Sequence, residues 1–205
     1  MSDKYAIFFD GGFVQRVLPK LYKSPISLDL LNTAVSKIAQ SPQLTGKSLL
    51  RCYYYDAAPF KGVKTTPTGD SIDFSKTPQY ERMSKFHESL KFAENFAFRC
   101  GDLKFRGWHI PETKKDDDSS ISYKPTLDQK GVDIKIGLDI ALMSMKRFID
   151  VIVIFTGDAD IAPAMKFARK EGLNVYYISV PSLSNVWIAN EVRIHSDGAI
   201  ELSAP

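Results

Sequence analysis

The chain has 205 residues, of which 44% are hydrophobic and 25% are charged, and its formal net charge is +3. This is the composition of an ordinary globular protein, and it excludes an intrinsically disordered chain. No apolar run approaches the roughly 20 residues that a membrane-spanning helix needs. The small positive charge permits a nucleic-acid partner without requiring one. We expect one domain over residues 1–205.

Cysteine content and the first residues predict where the protein resides. Cys52 and Cys100 are too few for a disulfide framework. Residues 1–4 lead directly into the first predicted strand, without the features of a secretion signal. We therefore expect a cytoplasmic protein.

The first third of the chain alternates apolar strands with helices. Residues 5–9 form an apolar run that suits a central strand of a parallel sheet. A short helix follows, which we expect Pro19 to end. Ser27 is suited to cap the next helix, and residues 49–55 are a second predicted strand. Residues 61–78 are polar and aperiodic, so we interpret them as an insertion forming an exposed loop.

The middle of the chain contains two predicted helices. The first covers residues 79–95, and a strand broken at Gly101–Asp102 is expected after it. Residues 111–126 are a second polar insertion. The helix predicted over residues 131–148 has two apolar stripes, which indicates that neighbouring structure covers both of its faces.

The last quarter of the chain completes the alternating pattern. Residues 151–155 are the clearest strand, and a helix over residues 161–170 and a strand over residues 174–180 follow. A final strand is expected within residues 194–202. Strands that alternate with helices predict an α/β fold, a three-layer sandwich with a mostly parallel central sheet.

Aspartates follow three of the predicted strands, at Asp10, Asp56 and Asp158. In an open parallel sheet, the ligand site lies beyond the carboxyl ends of the strands. Asp133 begins the helix before the 151–155 strand, so that helix should bring it to the same edge. Asp139 lies about 9 Å further along this helix, which places it away from the site.

Carboxylates gathered in one cleft repel each other, and burial raises their pKa further. Either some are protonated or a hard divalent cation holds them together. A donor set of oxygens alone favours Mg²⁺ or Mn²⁺ over Zn²⁺. Because Mg²⁺ keeps several waters and binds substrate phosphates, the pattern indicates phosphoryl or phosphodiester chemistry.

Several of these residues also have a purely structural interpretation. Asp56 can cap a turn, Asp160 can cap a helix, and Asp139 can be a solvated helix residue. Gly11–Gly12 and Gly157, in contrast, favour a close approach of a ligand to the backbone. The sequence contains neither the phosphate-binding loop of nucleotide triphosphatases nor a serine-hydrolase elbow.

The motifs occur in a characteristic order: residues 6–12 (AIFFDGG), 53–57 (YYYDA), 130–133 (KGVD), 156–163 (TGDADIAP) and 196–202 (SDGAIEL). In this order they resemble the NYN domain family, specifically its LabA/DUF88-like branch, within the PIN-like nuclease fold. The resemblance spans nearly the whole chain, with residues 61–78 and 111–126 as insertions. It departs from the family at Phe13, where many members have Asn.

The resemblance implies a ribonuclease that depends on Mg²⁺ or Mn²⁺ and acts on RNA, which we expect to be single-stranded. The catalytic and metal-binding residues that it implies are Asp10, Asp133, Asp158 and Asp160. Second-tier site residues are Asp139, at a recurrent family position, Asp56 and Thr156. Predicted substrate contacts are Gly11, Gly12, Lys130 and Gly157.

Two further hypotheses come from other functional classes. The departure at Phe13 and the modest charge motivate a non-catalytic RNA-binding or adaptor domain. The same acidic cluster also fits a magnesium-dependent phosphatase. For base stacking in the leading hypothesis, Phe13 and Trp108 are the predicted residues. Self-association into a homo-oligomer stays open.

Overall fold

The computed structural model describes residues 3–110 and 123–204. Part of the predicted insertion at 111–126 therefore lies outside the described residues. The strands are Lys4–Asp10 (β1), Ser48–Ala57 (β2), Val63–Thr65 (β3), Ser71–Asp73 (β4), Phe96–His109 (β5), Lys124–Lys130 (β6), Val151–Phe155 (β7), Asn174–Ser179 (β8) and Gly198–Glu201 (β9). The helices are Gly11–Tyr22 (α1), Leu28–Ala39 (α2), Pro78–Phe92 (α3), Val132–Met145 (α4), Ala162–Lys170 (α5) and Asn190–Ile194 (α6).

A seven-stranded sheet, in the order β6-β5-β2-β1-β7-β8-β9, forms the centre of the molecule. All neighbouring strands are parallel except β5 and β6, which are antiparallel. The prediction of an α/β fold with a mostly parallel sheet is therefore confirmed. Residues 6–9 of β1 are fully buried, which explains why this strand is apolar on both faces rather than alternating.

The first helix is longer than the sequence predicted. It continues through Pro19 to Tyr22, so the expectation that Pro19 ends it was wrong. Proline inside a helix costs about 3 kcal/mol, but this helix buries a full apolar face. The buried side chains are Phe13, Val14, Val17, Leu18 and Leu21.

Residues 61–78 are more ordered than an exposed loop. They contain the β3–β4 hairpin and a turn of 3₁₀ helix at Phe74–Lys76. Phe74 packs edge-to-face on Phe60, with ring centroids 5.2 Å apart, and stacks on Trp108 at 6.1 Å. Contacts between aromatic side chains therefore hold residues 61–78 against the sheet. These contacts produce no periodic pattern in so short a segment, so the sequence did not reveal them.

Strand β5 runs unbroken over 14 residues, so the predicted break at Gly101–Asp102 was wrong. Glycine is needed at position 101 because another part of the chain approaches its backbone closely. A Cβ at this position would lie 2.7 Å from the carbonyl oxygen of Lys130 and 2.8 Å from Cγ2 of Val132.

Helix α4 is covered on one face only, contrary to the two-sided burial that was predicted. Its inner side chains, including Ile136 and Ile140, are buried in the core. The stripe that includes Leu138, Leu142 and Met145 is exposed. The sequence showed two apolar stripes but could not show that, among the described residues, only one of them is covered.

The carboxyl ends of β1, β2 and β7 meet at one edge of the sheet. Asp10 is paired in register with Tyr55 of β2, and Phe9 with Phe155 of β7. Asp10, Asp56 and Thr156 therefore emerge at neighbouring positions. No helix in the described parts of the chain is long and apolar enough to cross a membrane.

Candidate active site

Asp10 is the central carboxylate of this edge, where it ends β1 and caps α1. Its Oδ1 accepts a hydrogen bond from the backbone N–H of Phe13 at 3.3 Å, and its Oδ2 accepts one from the Thr156 hydroxyl at 2.9 Å. Burial raises the pKa of Asp10 above its ordinary value, and these two hydrogen bonds partly oppose that shift. Asp10 is thus held in position in an environment that disfavours its charge.

The loop after β7 presents two further carboxylates. The fully buried Thr156 accepts a hydrogen bond from the backbone N–H of Asp158 at 3.1 Å. Oδ1 of Asp158 in turn accepts one from the backbone N–H of Asp160 at 3.0 Å. Asp158 and Asp160 are both exposed, so the loop fixes its backbone while it turns both acidic residues toward solvent.

Asp133 completes the acidic group from the first turn of α4. The helix begins after Gly131, whose φ of 77° is a conformation that favours glycine. Partial desolvation raises the pKa of Asp133, and repulsion from Asp158 and Asp160 raises it further. Asp133 also raises the pKa of Asp10. Four aspartates from three separate segments therefore share one electrostatic environment.

An open cavity of about 270 Å³ lies at this group. Its lining includes Asp10 and Asp158, together with Phe13, Arg16, Gly157 and Trp187. Arg16 is close enough to Asp10 to lower the pKa of that carboxyl. The cavity thus combines two carboxylates with a cation that can contact an anionic substrate.

The donor chemistry of this cavity fits a hard divalent cation. Within residues 3–110 and 123–204, no group of three or more His, Cys, Asp or Glu side chains is arranged to hold a metal ion. Mg²⁺, however, is commonly bound by one or two carboxylates, with water and substrate phosphates as the other ligands. Asp10 and Asp158 supply two such carboxylates on one cavity, and the mutual repulsion of the acidic group would be relieved by a cation.

Asp139 and Asp56, both second-tier residues, bind protein groups instead. Asp139 accepts hydrogen bonds from the Tyr55 hydroxyl at 2.8 Å and from Nε of Arg99 at 3.0 Å. Asp56 is buried and pairs with Nε2 of His87 at 2.8 Å. Both carboxylates therefore make contacts within the fold, and we do not include them among the candidate metal ligands.

The glycines of the predicted site have packing roles. A Cβ on Gly11 would lie 2.6 Å from the carbonyl oxygen of Tyr55, so this glycine lets α1 approach β2. A Cβ on Gly157 would collide with the Phe13 ring and lie 2.8 Å from the carbonyl oxygen of Trp187. Close packing on the Cβ side therefore explains both glycines. Only Gly12 is partly accessible, with Oδ1 of Asp10 3.5 Å from its Cβ position.

Lys130 lies beside the site at the end of β6, directly before the turn into α4. It is half exposed and forms an ion pair with Asp128 at 3.0 Å. The predicted contact with substrate requires this exposed ion pair to open, and such a pair contributes little stability.

The aromatic residues predicted to stack bases are occupied by the fold. Phe13 is buried and packs edge-on against Phe155 at 5.6 Å, so the residue that replaces the family Asn is part of the core. Trp108 donates from Nε1 to the carbonyl oxygen of Thr65 at 2.8 Å. Trp187, which sequence reasoning missed, is 72% exposed at the cavity edge. The turns over residues 181–185 that precede Trp187 have no periodic pattern that would have identified it.

The fold and the site define a class of protein: an α/β protein with a PIN-like sheet and an acidic group at the carboxyl edge of that sheet. The sequence model of the NYN domain family matches residues 76–197. The chain belongs to this family, whose members are generally nucleases.

One solved structure has the same fold. A protein of unknown function from Vibrio parahaemolyticus superimposes with a TM-score of 0.57 at 16% identity, over 98% of this chain and 94% of its own. MurG of Acinetobacter baumannii aligns with a TM-score of 0.38 at 15% identity, over 97% of this chain and 41% of its own. Among curated proteins, none matches the sequence.

Proposed function

We propose that the protein is a ribonuclease that hydrolyses phosphodiester bonds of single-stranded RNA with the help of Mg²⁺ or Mn²⁺. The observation that carries this proposal is the shared electrostatic environment of Asp10, Asp133, Asp158 and Asp160. These carboxylates repel one another at the edge of the sheet, and burial disfavours the charge of Asp10. Membership of the NYN family supports a nuclease, and the ordered motifs of the sequence support the LabA/DUF88-like branch.

Each aspartate has a role that follows from its surroundings. Asp10 and Asp158 line one cavity and are the proposed direct metal ligands. Asp133 and Asp160 are not among the residues that line this cavity and would act through water or as ligands of a second ion. A bound Mg²⁺ or Mn²⁺ would supply a water of lowered pKa and positive charge beside the scissile phosphate.

Thr156 and α1 prepare the site for an anionic substrate. The hydrogen bond from the Thr156 hydroxyl favours the ionised form of Asp10. The first N–H groups of α1, at Gly11 and Gly12, lie at the positive end of the helix dipole, where phosphate oxygens bind well. Arg16 on the same helix adds a guanidinium that suits a phosphate. Trp187 offers an exposed face on which a base can stack.

The test is cleavage of an unstructured, fluorophore-labelled RNA in Mg²⁺ or Mn²⁺ by the wild-type protein and by Asp158→Asn. We expect EDTA to abolish cleavage, and the variant to be slower by about 100-fold or more, the scale on which one electrostatic partner of a reaction acts. Asp150→Asn is the matched control because Asp150 lies at the opposite end of β7 and accepts a hydrogen bond from the N–H of Lys4. Equal rates for wild type and Asp158→Asn contradict the proposal.

A second candidate is a non-catalytic RNA-binding domain, which is favoured by the burial of Phe13 where many family members have Asn. It predicts salt-sensitive RNA binding without turnover in the same assay. Release of inorganic phosphate from nucleotides while RNA stays intact would identify a phosphatase instead.

A further inference from the structure

A second cavity lies beside α1, where Gln15 is part of its wall. Its volume is about 130 Å³, and it is enclosed by the 61–78 segment, helix α3 and the β5–β6 pair. Its walls include the rings of Phe60, Phe74 and Tyr80 and the side chains of Leu103 and Leu127. Flat aromatic and aliphatic surfaces surround a space that suits a small planar group.

The aromatic wall of this cavity is firmly fixed. The Phe60 ring lies 5.2 Å from Phe74 and 6.0 Å from Phe105. The Lys64 ammonium lies over both Phe60 and Phe105, at 5.9 and 5.2 Å from the ring centroids. The wall is therefore preformed, and it carries a positive charge at its edge.

The polar end of the cavity is built around Asp56. Besides His87, its carboxylate accepts hydrogen bonds from Nε2 of Gln15 and, at 3.0 Å, from Nε2 of Gln129. An ionised carboxylate only accepts hydrogen bonds, so the NH₂ ends of both amides must face it. Asp56 thereby fixes the orientation of two glutamines whose remaining polar atoms are amide oxygens, which accept hydrogen bonds.

Gln129 lies between this cavity and the acidic group, since its amide donates to Asp56 in the cavity wall and its Oε1 lies beside Gly12. A Cβ at Gly12 would lie 3.3 Å from Oε1 of Gln129 and 3.5 Å from Oδ1 of Asp10. Residues 125, 127 and 129 alternate onto one face of β6, and the first two line the cavity. Residues 127 and 129 are about 7 Å apart along the strand. The cavity therefore begins close enough to Asp10 for a single nucleotide to reach both.

We propose that this cavity binds one nucleobase of the RNA substrate, next to the phosphate held at Asp10. The base stacks against the aromatic wall, and an N–H group on its edge donates to the fixed amide oxygen of Gln15, which lines the cavity. Asp56 and His87 are positioning residues for this amide. This inference rests on the proposed function, and it gives the 61–78 insertion the role of a base-recognition wall.

The experiment measures the binding of four ribonucleosides to the full chain in EDTA, by NMR titration. Nucleosides lack phosphate and EDTA removes metal, so the titration detects the base pocket alone. Leu103→Phe adds volume inside the cavity, and we expect it to weaken nucleoside binding about tenfold or more. Leu138→Phe is the matched control, since the same substitution is made on the exposed face of α4.

A second variant removes the amide that is proposed to accept from the base. Gln15→Met keeps side-chain length and removes the amide oxygen together with the donor to Asp56, so we expect weaker nucleoside binding and a changed base preference in RNA cleavage, and thermal melting checks that the variant is folded. No binding to the wild type up to nucleoside solubility overturns the proposal, and so does equal binding by wild type and Leu103→Phe. Nucleoside binding without RNA cleavage refutes the proposed function and keeps the pocket. Cleavage without nucleoside binding does the reverse.

Discussion

Substitution of Thr156 by Val tests how the site controls the charge of Asp10. Valine has nearly the same shape, so it removes only the buried hydroxyl. That hydroxyl donates to Oδ2 of Asp10 at 2.9 Å and accepts from the N–H of Asp158 at 3.1 Å. A hydrogen bond to a charged group contributes about 1.5–3 kcal/mol and a neutral one about 0.5–1.5 kcal/mol. We therefore expect a loss of roughly 2–4 kcal/mol in the free energy of unfolding.

The assay is thermal unfolding in EDTA as a function of pH. For a chain of this length, 1 kcal/mol corresponds to about 2–4 °C in Tm, so Thr156→Val should melt roughly 4–16 °C below the wild type near neutral pH. The pKa of Asp10 is already raised in the folded protein, and loss of the hydroxyl raises it further. The difference in stability between wild type and Thr156→Val is therefore largest at pH values where Asp10 is ionised. It decreases as the pH falls through the raised pKa of Asp10.

Thr156→Ser is the control, because it keeps the hydroxyl and removes one buried methyl group at a cost of about 1 kcal/mol. Its difference from the wild type should not depend on pH. If Thr156→Val and Thr156→Ser have the same Tm at every pH, the hydroxyl does not stabilise the ionised form of Asp10 and the reasoning is refuted.

Three other variants separate packing from chemistry. Gly157→Ala places a methyl group against the Phe13 ring and should reduce stability by about 1–3 kcal/mol, as measured by thermal melting. The double variant Gly157→Ala/Phe13→Leu should recover part of this stability. An unchanged Tm in Gly157→Ala would contradict the contact. Asp133→Asn removes a carboxylate whose pKa is raised by desolvation and by repulsion from Asp158, so in EDTA it should raise Tm at neutral pH. The two proteins should converge below about pH 3, where the carboxyl is protonated in both the folded and the unfolded state. A lower Tm at neutral pH would argue against the repulsion. Asp139→Asn should leave the rate of RNA cleavage within about twofold and reduce stability by about 1.5–3 kcal/mol, because it weakens the ionic hydrogen bonds from Tyr55 and Arg99. A large loss of cleavage would instead place Asp139 in the site.

The sheet and its acidic edge could be predicted because they depend on local patterns. Continuous apolar runs identified β1, β2 and β7, and parallel strands must bring their following residues to one edge. The sequence therefore predicted the strand ends at Asp10 and Asp158 as neighbours. In the structure, Asp10 and Asp158 line the same cavity.

Contacts between distant segments could not be predicted in the same way. Asp56 resembled a turn residue because its partners His87 and Gln129 lie 31 and 73 positions away. Phe13 and Gly157 pack together from opposite ends of the chain, and neither position shows this in its local pattern. Such pairings depend on tertiary structure, which periodicity and spacing do not encode.

Binding of a divalent cation by the acidic group is the central claim, and anomalous diffraction from a crystal soaked in Mn²⁺ tests it most directly. We predict a manganese peak within bonding distance of the carboxylates of both Asp10 and Asp158, and no peak there in crystals of Asp158→Asn. A wild-type crystal that shows no manganese at these carboxylates, from protein that still cleaves RNA, would contradict the account.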